Sequence, residues 1–378
     1  MSLHRRGLLS AGAGAALLGA WSCARASDAP AGSIQRLLDE TGAPAVIGAV
    51  VTAAGVTHLE AGGLRRQGGP DRVTTNDLWH LGSNGKAMTA ALYGRLVDQG
   101  RAKWGATVPE LFPDLAVDPA WKTTTVEQLL GHQAGVEDRA FMIAGWLMTA
   151  HRDQRPIREQ RMEVAKAVFA KPPAGTPGAF AYANFNYILV GAAIERIVDA
   201  TWEDAITAEL FRPLGIASAG FGPPRGAQPW GHRGLVPGAP PKLPLVGLTP
   251  VDPAGLADNP PAMGPAGRIH MSMSDYARFA RLFLTRGGDV LKPETVTRLT
   301  TPVQGGGRPY ALGWGVAPER PWSRGPVLAH EGSNTMWHAV ALIAPSRGVA
   351  ILTASNAPPN TTVATGLARA LQERFVAA

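Results

Sequence analysis

The stretch Trp79-His80-Leu81-Gly82-Ser83-Asn84-Gly85-Lys86-Ala87-Met88-Thr89-Ala90 decides how the chain is read. Beyond it, Met88, Leu92, Leu96 and Val97 recur at helical intervals, so a helix begins here with Ser83 at its N-cap or in its first turn. Lys86 follows three residues later, which puts its ammonium on the helical face of the Ser83 hydroxyl. A serine hydroxyl needs a base within hydrogen-bond reach to act as a nucleophile, and a buried lysine with a lowered pKa can be that base. The positive end of a helix also favours anionic character at Ser83. The same residues fit a helix cap followed by a solvated lysine, so the rest of the chain has to supply the context.

Two more short motifs follow in order. Tyr182-Ala183-Asn184 lies where a Pro/Gly-rich loop, residues 171–178, runs into an apolar helix over residues 186–200. There both side chains can face one cleft. A phenol beside an ammonium can lose part of its pKa penalty and shuttle protons, while the carboxamide holds the lysine or a substrate amide; the alternative is a pair that caps the next helix. His330-Glu331-Gly332-Ser333 reads as a strand edge. The glycine permits close approach of a substrate, and the backbone N–H groups of Ser333 and Ser83 can together bind a developing oxyanion.

Around these motifs, residues 33–41 read as a short amphipathic helix, and the apolar runs 45–53 and 56–60 as a hairpin. A polar, Gly-rich connection, residues 62–76, then leads as a loop into the Ser83 helix. Residues 123–135 read as a capped helix ending at glycine, with His132 as a structural histidine that satisfies local carbonyls. Residues 139–171 and 202–211 read as helices. Residues 222–265 hold 12 Pro and 8 Gly, which makes them a surface excursion rather than a domain. A helix from 272, strands over 312–317, 327–330, 337–343 and 348–353, and a last helix over 362–376 complete the chain. Strands near both ends with helices between them imply an α+β fold, in which one sheet is assembled from both termini.

With 378 residues, 45% hydrophobic and 17% charged, the composition is that of a well-cored globular protein. Residues 1–26 read as an export signal, with Arg5-Arg6 before an Ala/Gly/Leu-rich run and Ala24-Arg25-Ala26 as a small-x-small cleavage site. The paired arginines suggest the twin-arginine route, with an ordinary Sec signal as the alternative. A periplasmic or extracellular location follows. Cleavage there removes Cys23, the one cysteine, and Ala20-Trp21-Ser22 is a poor lipoprotein box, which disfavours lipid anchoring. Removing Arg5, Arg6 and Arg25 takes the formal charge from +7 to 7 − 3 = +4, too little and too scattered for nucleic acid. No later stretch has the roughly 18 apolar residues of a membrane span. No His-Glu-x-x-His or Cys pair suggests a metal, and no Gly-x-Ser-x-Gly suggests an α/β-hydrolase.

In the order Ser-x-x-Lys, Tyr-x-Asn, His-x-Gly, the chain resembles the serine β-lactamase and penicillin-binding-protein family, in particular the class C-like branch with its D,D-peptidases, D-aminopeptidases and esterases. Residues 125–136, 213–216, 265–272 with Asp275, and 311–316 resemble that family's framework stretches, so the resemblance spans nearly all of the chain after residue 26. It implies a β-lactamase/transpeptidase-like fold: an antiparallel sheet flanked by helices, from residues of about 31–100 and 265–378, with a mainly helical part over about 101–264. It further implies Ser83 as the acylated nucleophile, Lys86 and Tyr182 as the proton-handling pair, Asn184, His330, Gly332 and Ser333 as substrate or oxyanion contacts, and no metal or organic cofactor. Where β-lactamases have Lys-Thr-Gly or Lys-Ser-Gly, this chain has His330-Glu331-Gly332. That departure favours a small ester or a D-amino-acid amide or peptide over a substrate with a critical carboxylate. A D,D-carboxypeptidase, a weak β-lactamase and a non-catalytic binding protein of the same fold are the alternatives.

Overall fold

The computed structural model describes residues 33–139, 145–234, 245, 247–359 and 362–376. Residues 1–26, read above as an export signal, and Cys23 lie outside the described residues. Among the described residues eleven strands run in chain order: β1 (Ala45–Thr52), β2 (Gly55–Gly63), β3 (Leu78–His80), β4 (Gly220–Phe221), β5 (His232–Arg233), β6 (Thr249–Pro250), β7 (Ile269–Ser272), β8 (Gly315–Ala317), β9 (Val327–Ser333), β10 (His338–Ala344) and β11 (Val349–Ser355).

The apolar run that forms β1 is buried along nearly its whole length, as a strand covered on both faces must be. Val46 and Val50 pack with Ile34 and Leu38 of the first helix and with Leu367 and Leu371 of the last. Ile47, Ala49 and Val51 face the other way, into the larger core with Met88, Leu92 and Phe283. Strand alternation thus sorts one hydrophobic run between two helical layers. Each fully buried aliphatic side chain contributes about 1.5–3 kcal/mol to this sandwich. The sheet order is β2-β1-β11-β10-β9-β8, antiparallel at every pairing, so strands from near both ends meet in the middle. The chain has the β-lactamase/transpeptidase-like α+β fold implied by its motifs. No helix among the described residues is long and apolar enough to cross a membrane.

Two local expectations change. The Ser83 segment follows a strand rather than a loop: β3 pairs with β7, which also holds β4. Three residues are too few to show a period-two pattern, so this strand is invisible in the sequence. The described part of the 222–265 segment, which leaves out residues 235–244 and 246, is also more than a surface excursion. His232 and Asp258 are buried, and β5 and β6 of that segment pair with each other.

Candidate active site

Ser83 sits in a single 3-10 turn, Gly82–Asn84, that leads into the helix Gly85–Asp98. This turn presses against β9. A Cβ built on Gly82, whose φ is +51°, would lie 2.2 Å from the Ser333 nitrogen, and one on Gly332 would lie 2.0 Å from the Leu81 carbonyl oxygen and 2.7 Å from the Ser83 nitrogen. Neither position has room for a side chain, and the left-handed φ at Gly82 adds a second reason for glycine there. The two glycines therefore let the backbones of Ser83 and Ser333 come side by side.

Lys86 is fully buried on the first turn of the helix. Its Nζ donates to Ser83 Oγ at 3.0 Å, to Asn184 Oδ1 at 2.8 Å and to the Ala266 carbonyl at 2.6 Å. Burial pulls its pKa from 10.5 down to about 7, with Asp138 pulling weakly the other way. A lysine so placed is a free amine for a large part of the time near neutral pH.

Asn184 opens the helix Asn184–Val198. Asp138 caps that helix from a distance, its Oδ2 accepting from Asn184 N at 2.9 Å and its Oδ1 from Phe185 N at 3.1 Å. These are orphan donors of a helix start, where a carboxylate is favoured. Asp138 Oδ2 also accepts from Asn184 Nδ2 at 2.8 Å, which turns the amide so that its oxygen faces Lys86. Nothing in the sequence singles out Asp138, because no local pattern ties it to a residue 46 positions away.

Tyr182 lies beside the pair, its ring centroid 5.0 Å from Lys86 Nζ. Burial raises the Tyr182 phenol above its ordinary value of 10, while a hydrogen bond with Ser83 works the other way. The expectation of a lowered phenol is therefore corrected: burial outweighs the Ser83 hydrogen bond, and the charge of Asp138 adds to the rise. His132 is a buried structural residue, but its Nδ1 serves amide donors rather than carbonyls, accepting from Ala183 N at 3.2 Å and Asn186 Nδ2 at 3.1 Å. Its ring lies 4.3 Å from that of Tyr182 and so backs the phenol.

On the opposite wall, β8 pairs with β9 only as far as Ala329, so His330 onward forms a free edge toward the turn. His330 donates Nδ1–H to the Glu331 carbonyl at 2.8 Å, and its Nε2 accepts from the Tyr310 hydroxyl at 3.0 Å. Burial, followed by the charge of Lys86, lowers its pKa to about 3, so the imidazole is neutral. Glu331 alternates to the other face of β9 and places Oε2 3.0 Å from His338 Nε2. It therefore points away from Ser83 and does not meet a substrate there. The Ser333 hydroxyl is likewise occupied, donating to the Trp337 carbonyl at 2.6 Å, which leaves its backbone as the part that meets the Ser83 turn. Trp314 and Trp337 are core residues with no exposed surface.

The structure thus brings Ser83, Lys86, Tyr182, Asn184, Gly332 and Ser333 together, with His330 on the facing strand. Residues 31–374 match the family described as Beta-lactamase. The chain is similar to Penicillin-binding protein 4 of Amycolatopsis lactamdurans, 27% identical over 333 residues that cover 84% of this chain and 82% of that one. It is also similar to the unguisins hydrolase ungD' of Aspergillus campestris, 27% identical over 317 residues, covering 75% of this chain and 53% of that one, about half the relative's length. Among solved structures, the D-amino acid amidase of Ochrobactrum anthropi superposes with a TM-score of 0.69 at 18% identity, covering 90% of this chain and 97% of that one, a likeness of fold. With the family matched from residue 31 to residue 374, the chain belongs to the Beta-lactamase family of serine hydrolases.

Proposed function

We propose that the protein cleaves a small ester or a D-amino-acid amide or peptide through an acyl-enzyme on Ser83. The observation that carries this is the Lys86 amine, 3.0 Å from Ser83 Oγ, with its pKa lowered to about 7. The free amine takes the hydroxyl proton as Oγ attacks the carbonyl carbon, and the N–H groups of Ser83 and Ser333 receive the oxyanion. The leaving group departs with a proton returned from Lys86 by way of the neutral Tyr182 hydroxyl. Water then enters by the reverse proton path and releases the acid. Asn184 holds Lys86 and the substrate amide.

The choice of substrate rests on the strand. His330 stands where β-lactamases carry a lysine, and here it offers a neutral ring with both nitrogens engaged. A substrate whose binding depends on a carboxylate finds no cation at that position. The amidase named above supports the D-amino-acid amide side of the proposal, and the penicillin-binding protein keeps a D,D-carboxypeptidase as the second reading. Residues 1–26 are proposed to direct export, which the mature N-terminus determined by mass spectrometry would check.

Fluorophosphonate treatment should shift the mass of Ser83, an effect absent in Ser83→Ala and strongly reduced in Lys86→Ala. A folded protein that takes no label would refute the acyl-enzyme. Turnover of a nitrophenyl ester, a D-amino-acid amide, a D-Ala-D-Ala peptide and a chromogenic cephalosporin then separates the substrate classes. The first two should lead; a dominant D-Ala-D-Ala peptide would favour the carboxypeptidase.

A further inference from the structure

Beside the Ser83 turn lies a buried polar group that the chemistry above leaves unused. His80, the last residue of β3, has no exposed surface. Its Nδ1 accepts from the Gly82 N–H at 3.2 Å, and its Nε2 lies 2.9 Å from Asp258 Oδ2. Only an unprotonated ring nitrogen can accept from an amide, so the imidazole proton sits on Nε2 and is donated to the carboxylate. The other carboxylate oxygen, Oδ1, accepts from Asn334 Nδ2 at 2.9 Å and from Asn259 N at 2.8 Å. Asn334 in turn accepts the N–H groups of Met336 at 3.2 Å and Trp337 at 3.3 Å through its Oδ1. The His80 ring stacks on Trp337, with centroids 5.5 Å apart. Burial pushes the Asp258 carboxyl up, but His80, Arg268 and Asn334 outweigh it and keep the group below its ordinary value, hence ionised.

One carboxylate therefore grips two backbone segments, Gly82-Ser83 through His80 and the turn after Ser333 through Asn334. These are the segments in contact at Gly82, and they carry the two N–H groups assigned to the oxyanion. We propose that Asp258, acting through His80 and Asn334, is the positioning residue of the oxyanion site and sets the spacing of its two donors. This rests on the acyl-enzyme proposal for Ser83. A buried ion contributes little stability compared with apolar packing, so stitching two loops together is a weak reason to bury one. Donors for a developing alkoxide, in contrast, have to be held at hydrogen-bond distance from an oxygen that is absent in the ground state, which requires rigid support. Asp258 also gives the Pro/Gly-rich 222–265 segment a part in the site.

The test compares the wild type with Asp258→Asn and His80→Gln. A carboxamide at 258 has one oxygen and can accept from His80 or from Asn334 but not both. On a nitrophenyl ester, kcat should fall about tenfold to a hundredfold, short of the loss on deleting a donor outright. KM should stay unchanged, because the donors are used in the transition state. Affinity for a boronic acid that forms a tetrahedral adduct on Ser83 should fall by the same factor as kcat. A purely structural role would instead raise KM and lower Tm together, leaving the boronate no worse affected than the substrate. Folded variants that match the wild type in kcat, or lose it only in step with KM, overturn the positioning role. Should His80→Gln not fold, the nearly isosteric Asp258→Asn carries the test alone. A wild type without ester turnover or Ser83 labelling would sink the acyl-enzyme as well, whereas an active wild type with unaffected variants sinks Asp258 alone.

Discussion

Lys86 on the helix and His330 on the facing strand are both buried bases in one cleft, and burial lowers both, yet they end in opposite roles. Lys86 starts from 10.5 and arrives at about 7, whereas His330 starts from 6.5 and arrives at about 3. The same desolvation poises the first to exchange a proton near neutral pH and leaves the second neutral there. Their partners deepen the contrast. Lys86 donates to Ser83 Oγ, while His330 spends one nitrogen on its own strand and the other on Tyr310. In the proposed mechanism the helix wall supplies the base, while the strand wall supplies an oxyanion donor and the neutral ring that faces the substrate.

The contrast breaks most sharply at the helix. Lys86→Ala should lower kcat/KM by roughly 10²–10⁴, the range of a general base, and Lys86→Arg should not rescue it because a guanidinium stays protonated. Ester turnover in the two variants checks this. Gly332→Ala should be comparably severe, since its Cβ would lie 2.0 Å from the Leu81 carbonyl oxygen, and a kcat near that of the wild type would show the two backbones to be less tightly apposed.

The pH profile sharpens the comparison next. Activity needs the free amine, so kcat/KM should rise with pH through a midpoint near the Lys86 pKa of about 7 and fall about tenfold per unit below it. His330, neutral throughout, should add no inflection between pH 5 and pH 8, a window that straddles the ordinary histidine value of about 6.5. Asp138 raises the Lys86 pKa, so Asp138→Asn should move the midpoint down, with a lower Tm because the capped helix loses a charge-assisted acceptor.

A smaller change is expected from turning the strand into the Lys-type of the β-lactamases. His330→Lys adds a second ammonium beside Lys86, which should lower the midpoint further and improve kcat/KM for a carboxylate-bearing cephalosporin by on the order of tenfold, the worth of one charged hydrogen bond. The smallest effect belongs to Tyr310→Phe. It deletes one neutral hydrogen bond to His330, worth about 1 kcal/mol, and should cost less than tenfold in turnover with the pH midpoint in place.

Much of this cleft is legible in the sequence because its parts are local. Ser83 and Lys86 share a helical face through a spacing of three. Tyr182 and Asn184 lie two apart where a loop meets a helix, and Gly332 stands between His330 and Ser333. The sheet is legible for a similar reason: the run that forms β1 is apolar at both phases of its alternation. Asp138, Asp258 and Tyr310 are not legible, since they reach the site through hydrogen bonds to residues distant in the chain, and no spacing encodes such bonds; His80 lies next to the Ser83 turn, but its tie to Asp258 is just as distant. Glu331 shows the limit from the other side. Its place in the motif suggests contact with a substrate, and only strand alternation in a folded sheet turns it toward His338.

By itself the sequence determined the fold, the order of the three motifs and the pairing of Ser83 with Lys86, because hydrophobic periodicity and short spacings are properties of neighbouring residues. The tertiary structure decided the protonation states, the direction of Glu331 and the support beneath the nucleophile turn. Those depend on how much water is excluded and on which distant side chains pack against each group, and both are set only when the chain has folded.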